Sequence, residues 1–332
     1  LLKAVNDQLR QFLLRHVHQL QLHQAYQVAR EQYAQLSEAL SADVPASAAP
    51  RFRYVTGIAL RPRDGESLCG DQAAVFEAGN AACLLLSDGG THILVDAGIS
   101  TRRIKTGLAQ LELSMDELDG ILITHEHTDH ISGLATLIKH HTVPLYASPG
   151  TARQLAYRLA GVEPLLRPQD PGTEFCIGSC RVTAFATSHD AAQSMDYRID
   201  GSGSVGILTD TGYVTPEAEE VLPGVGMLVL ESNHDVEWLR SGPYPYSLKA
   251  RILGDEGHLS NDAAAEFAAR MARCGTRCIV LAHLSRENNT PQRAWDTVQR
   301  RLNTVEAEVL LEVAPRSEVS PPYGTEVLVC SE

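Results

Sequence analysis

With 332 residues, 44% hydrophobic and 21% charged content and a formal net charge of -13, the chain has length for one large or two ordinary globular domains and an acidic surface. That charge weighs against nucleic acid or an anionic membrane as partner unless a local basic patch or bound metal offsets it. No apolar run reaches the ~18 residues that cross a bilayer, and seven scattered cysteines fit a reducing cytoplasm better than a disulfide framework.

Residues 1–40 read as one amphipathic helix, with Leu2, Val5, Leu9, Val17, Leu20, Val28, Leu36 and Leu40 at a rough three-to-four spacing. The segment is rich in Gln and His and lacks the apolar core of a signal peptide. Its stripe makes it a candidate dimerisation helix, with packing on the main domain as the alternative. The stretch SADVPASAAP (41–50) breaks it and reads as a linker. Residues 1–50 are thus set apart from a main domain over 51–332.

Strand and helix signals alternate from Arg51 onward. FRYVTGIAL is strand-like, and RPRDGESLCGDQ is a polar loop. AACLLLSDGGTHILVDAG is a hairpin, two apolar runs around Asp88-Gly89-Gly90. STRRIKTGLAQL is a helix with Ser100 as N-cap, and Ser114 to Glu117 has the spacing of a capping box. A strand, GILIT, runs into THEHTDH and then into a helix, ISGLATLIKHH. VPLYA is a strand, and SPGTARQLAYRLA is a helix with Pro149 in its first turn. TEFCI, CRVTAFAT, DYRID, SVGILTD, GMLVLESN and RCIVLAHL are strands; NDAAAEFAARMARC and TPQRAWDTVQRRL are helices. The spacing of Cys176/Cys180 and Cys274/Cys278 is too loose for a usual zinc knuckle, so these cysteines read as small core residues.

The alternation predicts an α/β architecture of sheets covered by helices. Six strands end in polar clusters: VDAG, THEHTDH, ATSHD, LTDTG, ESNHD and AHLS. Polar strand ends of this kind point to one shared site at one edge of the sheets.

The densest cluster directly follows an apolar strand. His125 and His127 alternate on an extended turn and can bind one metal; Asp129 and His130 begin the helix and face a neighbouring position. Imidazole and carboxylate suit zinc, manganese or iron. His189, Asp210 and His283, each after an apolar strand, are the candidates to complete the set. Asp96 is placed to orient a ligating histidine from behind.

VDAG, THEHTDH, SHD, TDTG and AHL resemble, in order over about residues 52–312, the five motifs of the metallo-β-lactamase superfamily. The stretches LESNHDVEWLRSGPYPYSLKARILGDEGHLSN and LAHLSRENNTPQRA further resemble the YycJ/WalJ family, bacterial proteins regarded as metal-dependent nucleases. The resemblance implies a four-layer αββα sandwich with the N-terminal helix added. It also implies two divalent ions, zinc or manganese. His125, His127 and His189 would hold one; Asp129, His130 and His283 the other; Asp210 would bridge them. The chain departs from the pattern at EAGN (Glu77 to Asn80), where the family has GSSGN, after the added loop 61–72. The N-terminal helix also lies outside the family pattern.

The mechanism so implied is attack on phosphorus by a metal-bridging hydroxide. Two ions, Asp129, Asp210 and the hydroxide sum to one positive charge, a local attractor for phosphate. Asp129, Asp210, His234 and His258 are the candidate catalytic residues. Arg102, Arg103 and Lys105 after VDAGIS, and Lys249 and Arg251 further on, are candidate substrate contacts. The leading reading is a cytoplasmic 5′-to-3′ DNA exonuclease with nucleic acid as its partner. The alternatives are a hydrolase of a cyclic phosphodiester, thioester or lactone, and a non-catalytic, metal-stabilised interaction protein.

Overall fold

The computed structural model describes residues 72–75, 83–88, 90–315 and 323–324. The expected helix at 1–40, the linker, the strand at 52–60 and EAGN lie outside the described residues, as does the loop 61–72 apart from Gln72. The dimerisation surface assigned to that helix lies outside them too.

The first half of the described chain supplies β1 (Gln72–Val75), β2 (Leu84–Asp88), β3 (Thr91–Val95), β4 (Gly120–Leu122), β5 (Leu145–Ala147) and β6 (Leu166–Pro168). The second half supplies β7 (Glu174–Ile177), β8 (Cys180–Ala186), β9 (Met195–Asp200), β10 (Ser204–Leu208), β11 (Met227–Glu231), β12 (Cys278–Ala282) and β13 (Leu310–Val313); β14 (Tyr323–Gly324) returns to the first sheet. The two sheets run β14-β1-β2-β3-β4-β5-β6 and β13-β12-β11-β10-β9-β8-β7. The helices are α1 (Thr101–Gln110), α2 (Thr128–Ile131), α3 (Leu134–Leu137), α4 (Pro149–Arg158), α5 (Pro216–Val221), α6 (Val236–Ser241), α7 (Tyr246–Ile252), α8 (Asn261–Arg273) and α9 (Pro291–Leu302).

Alternation along the strands sets the layers, because successive side chains leave opposite faces. Leu84, Leu86, Ile93, Val95, Leu122, Met227, Val229, Cys278 and Val280 form one core between the sheets. Their neighbours Leu85, Leu94, Ile121 and Ile123 face outward against Ile104, Leu108, Leu134, Leu137 and Leu155 of α1, α3 and α4. Leu228, Leu230, Ile279 and Leu281 face outward against Phe267, Ala268, Met271, Val298 and Leu302 of α8 and α9. The result is helix, sheet, sheet, helix, which explains strands apolar on both faces. No helix among the described residues is long and apolar enough to cross a membrane.

Strand direction explains why the polar ends meet. β3, β4, β5 and β6 are parallel, as are β10, β11, β12 and β13. β8 is antiparallel to β9 and β9 to β10, so β8 runs with β10. The strands before Asp96, Thr124, His189, Asp210, Glu231 and His283 therefore finish on the same edge of their sheets. Two bonds tie the sheets beside it: the Tyr197 hydroxyl donates to the Ile123 carbonyl at 2.7 Å, and the Met195 N–H to the Thr124 carbonyl at 3.1 Å.

Three expectations need correction. The single helix over ISGLATLIKHH is two short helices, α2 and α3, separated at Gly133. There the backbone packs so closely that an added Cβ would lie 2.3 Å from the Ile99 carbonyl, and the Gly133 N–H bonds the Ala97 carbonyl. The cysteines are not all core residues: Cys180 and Cys278 are buried, but Cys176 and Cys274 are exposed, and all four are free. Finally, β6, β13 and the short helices α5, α6 and α7 were not expected from the sequence pattern.

Candidate metal centre

Three site residues sit in left-handed backbone at their strand ends: Asp96 (φ 59°), Asp210 (φ 46°) and His283 (φ 56°). Non-glycine residues rarely adopt this conformation, and it costs on the order of 1 kcal/mol or more each. The turn aims each side chain back across the sheet edge. Gly212, in TDTG, allows the 254–257 segment to close against this edge; a Cβ there would lie 2.1 Å from the Asp255 carbonyl.

Hydrogen bonds fix which nitrogen of each histidine is left for a ligand. The His189 Nδ1–H donates to the Gly257 carbonyl (3.1 Å), leaving Nε2. His127 does the reverse: its Nε2–H donates to the Asp190 carbonyl (3.2 Å), leaving Nδ1. The Thr124 hydroxyl donates to Asp96 Oδ2 (2.8 Å) and so accepts from His125 Nδ1 (3.0 Å), leaving His125 Nε2. His130 Nδ1 bonds Asp96 Oδ2 (2.7 Å), and His283 Nδ1 bonds Glu231 Oε1 (2.9 Å), which turns both Nε2 atoms inward. This is how carboxylates, hydroxyls and carbonyls commonly orient metal-ligating imidazoles.

The inward atoms form groups whose donors lie within 4.8 Å of one another: His125 with His127 and His189; Asp129 with His130 and His283; His125 with His130 and Asp210; and Asp210 with Glu231, His258 and His283. Asp210 lies between them, its Oδ2 3.1 Å from His130 Nε2 and its Oδ1 3.8 Å from His189 Nε2 and 3.5 Å from His283 Nε2. Asp96 stands behind the donors, bonded to Thr124 and His130.

Two observations fit this donor set to a divalent metal ion. Buried His125 Nε2 has no hydrogen-bond partner, and the lone-pair atoms of His127 and His189 face each other at 3.2 Å. A cation satisfies both. The charges agree. Burial and the His130 charge push His125 well below the usual histidine range, so it is neutral and able to ligate. Burial alone would raise the Asp210 carboxyl, but the His283 and His130 charges outweigh it and hold it well below the usual range. The site therefore keeps its carboxylate ionised and draws positive charge towards itself.

A cavity of about 490 Å³ opens over these groups, lined by His127, Thr128, Asp129, Arg158, His189, Asp210, Arg251 and His258. Arg251 is held at its rim by Asp190 Oδ2 at 2.5 Å, and Arg158 by the Glu126 carbonyl at 2.6 Å. The other candidate substrate contacts lie elsewhere. Arg102 and Arg103 are exposed on α1 and do not line this cavity; the Lys249 ammonium donates to the Arg240 and Gly242 carbonyls, both at 2.7 Å. His258 is on the wall, whereas His234 is only 1% exposed and does not line it. Burial pushes His234 down to about 4, so it is neutral at ordinary pH.

Sequence reasoning gave no role to Glu231 or Arg158. Glu231 closes a strand that is otherwise wholly apolar, the signal that could have found it. It accepts from the Thr211 and Leu259 N–H groups (both 3.1 Å) and from His258 and His283 (both 2.9 Å). Burial alone would raise its carboxyl; the His258 charge and these hydrogen bonds hold it at about 2. Glu126 is buried: its carboxylate accepts from the Ala192 N–H (2.8 Å) and the Thr151 hydroxyl (3.3 Å), bracing the loop after His189. The motifs ESNHD, GHLSN and ENN meet in a buried network. Asn289 and Asn261 pair through their amides, Ser232 donates to Asn261, and Asn289 also donates to the Ser232 and Asn233 carbonyls.

Layers of this order carrying such donors at one sheet edge are those of a metal-dependent hydrolase. Residues 91–284 match the family model described as a beta-lactamase superfamily domain. The chain is 39% identical over 217 residues to exodeoxyribonuclease YycJ of Bacillus anthracis, covering 63% of this chain and 80% of that protein. It is 39% identical over 214 residues to exodeoxyribonuclease WalJ of Streptococcus pneumoniae, with 63% and 80% covered. The solved structure of the metallo-beta-lactamase fold protein YhfI from Bacillus subtilis shares the fold, with a TM-score of 0.56, 19% identity, and 75% of this chain and 98% of that one covered. The chain belongs to the metallo-β-lactamase superfamily and, within it, to the YycJ/WalJ-like family. It is accordingly a metal-dependent hydrolase.

Proposed function

We propose that the chain is a dinuclear 5′-to-3′ DNA exonuclease of the cytoplasm. The observation that carries the phosphodiester reading is the pair of arginines, Arg158 and Arg251, in the wall of an open cavity above the metal donors. In a protein of net charge -13, they give this one place the cationic, fork-shaped donors that suit a phosphate. The relatives named as exodeoxyribonucleases support DNA as substrate; the polarity is carried over from the family resemblance.

His125, His127 and His189 would hold one ion, and Asp129, His130 and His283 the other, with Asp210 shared. Bound there, divalent cations acidify a water to serve as nucleophile and offset the charge gained by the phosphoryl oxygens. The protein's own groups do the rest. Asp96 and Thr124 hold His125 and His130 in the tautomers that leave Nε2 inward. Glu231 does the same for His283 and orients His258 on the cavity wall, from which His258 delivers a proton to the leaving 3′ oxygen. Arg251 and Arg158 steady the phosphate. His234, 1% exposed and outside the cavity lining, takes no direct part in this reaction.

Duplex DNA labelled at the 5′ end, a cyclic phosphodiester and a lactone, each incubated with Mn²⁺-loaded protein, separate this reading from that of a small-molecule hydrolase. Release of labelled mononucleotide from the DNA is expected. An intact label alongside turnover of either small substrate would contradict it.

A further inference from the structure

A second cavity, of about 160 Å³, adjoins the first and shares His189, Arg251 and His258 with it. It is about a third the volume of the metal cavity, a side recess with room for a planar heterocycle. Its walls differ from those of the metal cavity. Tyr244, Leu248 and Ile252, from α7 and the residues just before it, form an aromatic and aliphatic side. Asn233 and Ser285 form a buried polar floor, and Glu256 adds a carboxylate. The floor is rigid: the Asn233 amide donates to the His283 carbonyl at 3.0 Å, and the Ser285 N–H to the Asn233 carbonyl at 2.8 Å. Arg251, fixed by Asp190, stands where the two cavities join.

We infer that this second cavity takes the base of the terminal nucleotide while its scissile phosphate lies in the metal cavity, with Arg251 between base and phosphate. The inference rests on the nuclease reading and adds to it how the strand end is held. An aromatic side chain accepts the face of any base, and hydroxyl, amide and carboxylate groups at the floor meet its polar edge. A base whose polar edge meets the Asn233 and Ser285 floor cannot at the same time pair with a complementary strand, so frayed or single-stranded ends are the better substrates.

The test compares Mn²⁺-loaded wild-type protein, Tyr244→Ala and Tyr244→Phe on single-stranded DNA with a terminal nucleotide that is either intact or abasic. For the wild type, kcat/KM on the abasic end is expected to be lower by about 5- to 150-fold, the span of one base–aromatic stack. Tyr244→Ala is expected to bring the intact end down to the abasic rate without changing the abasic rate, and Tyr244→Phe to restore the difference. Equal wild-type rates on both ends would overturn the base pocket, as would a Tyr244→Ala loss equal on both. Release from neither DNA, with a small phosphodiester still hydrolysed, would overturn the nuclease reading and the pocket's role with it.

Discussion

Asp210→Ala is expected to lose bound metal and all measurable hydrolysis, a larger effect than the roughly 100-fold cost of changing a carboxylate behind a ligand. Its two oxygens lie 3.1 Å from His130 Nε2 and 3.8 Å from His189 Nε2, which places it between the two donor groups. It is also the charge that, against burial, holds protons or cations near His130 and His283. Because Asp210 has φ 46°, alanine there adds backbone strain. Asp210→Asn is the companion variant, since asparagine tolerates that conformation and keeps the shape. Both should fail to retain metal by elemental analysis while Asn remains folded by circular dichroism. Retained metal and turnover in Asp210→Asn would remove the shared-ligand role.

Glu231→Gln is expected to weaken metal binding by roughly 10- to 100-fold and to destabilise the metal-free protein by about 3 kcal/mol. The carboxylate receives four donors, and an amide can accept at only one of its two ends. If its NH₂ faces His258 and His283, those rings must flip tautomer and turn an N–H towards the metal. If it faces the Thr211 and Leu259 N–H groups, donor meets donor. The pH dependence has a definite sign. A carboxyl held at about 2 in the folded chain and ~4.3 when unfolded contributes stability above the unfolded value and loses it as pH falls towards the folded one. The gap between wild type and Glu231→Gln in urea midpoint is therefore expected to be full at pH 7 and to shrink between about pH 4 and pH 2. Equal midpoints at pH 7, or a gap that widens in acid, would contradict the account.

What was legible in the sequence follows from where each signal is written. The metal donors follow apolar strands, so a short continuous apolar run marks each strand and the polar residues after it mark its end. Parallel strand direction then brings those ends together, and the hairpin, the Ser100 cap, Pro149 in the first turn of α4 and the longer helices were readable for similarly local reasons. Glu231 was harder because it is buried within the strand, where its partners come from residues 211, 258, 259 and 283 and no local pattern names them. Arg158 lies at the end of a helix, and only the fold places it over the cavity. The basic run Arg102-Arg103 looked like a phosphate contact, yet α1 turns that face to solvent. Lys249 bonds carbonyls at the end of α6. Gly133 split an expected helix through contacts with Ala97 and Ile99, which lie far back in the chain. The short helices α5 to α7 hold six or seven residues each, too few for periodicity to stand out.

The most direct test of the central claim is to strip the protein with chelator, titrate it with Mn²⁺ and follow mononucleotide release from 5′-labelled DNA. Release should be absent at zero metal and reach its plateau at two ions per chain. A plateau at one ion, or no release at any metal concentration, would contradict a shared two-metal nuclease site.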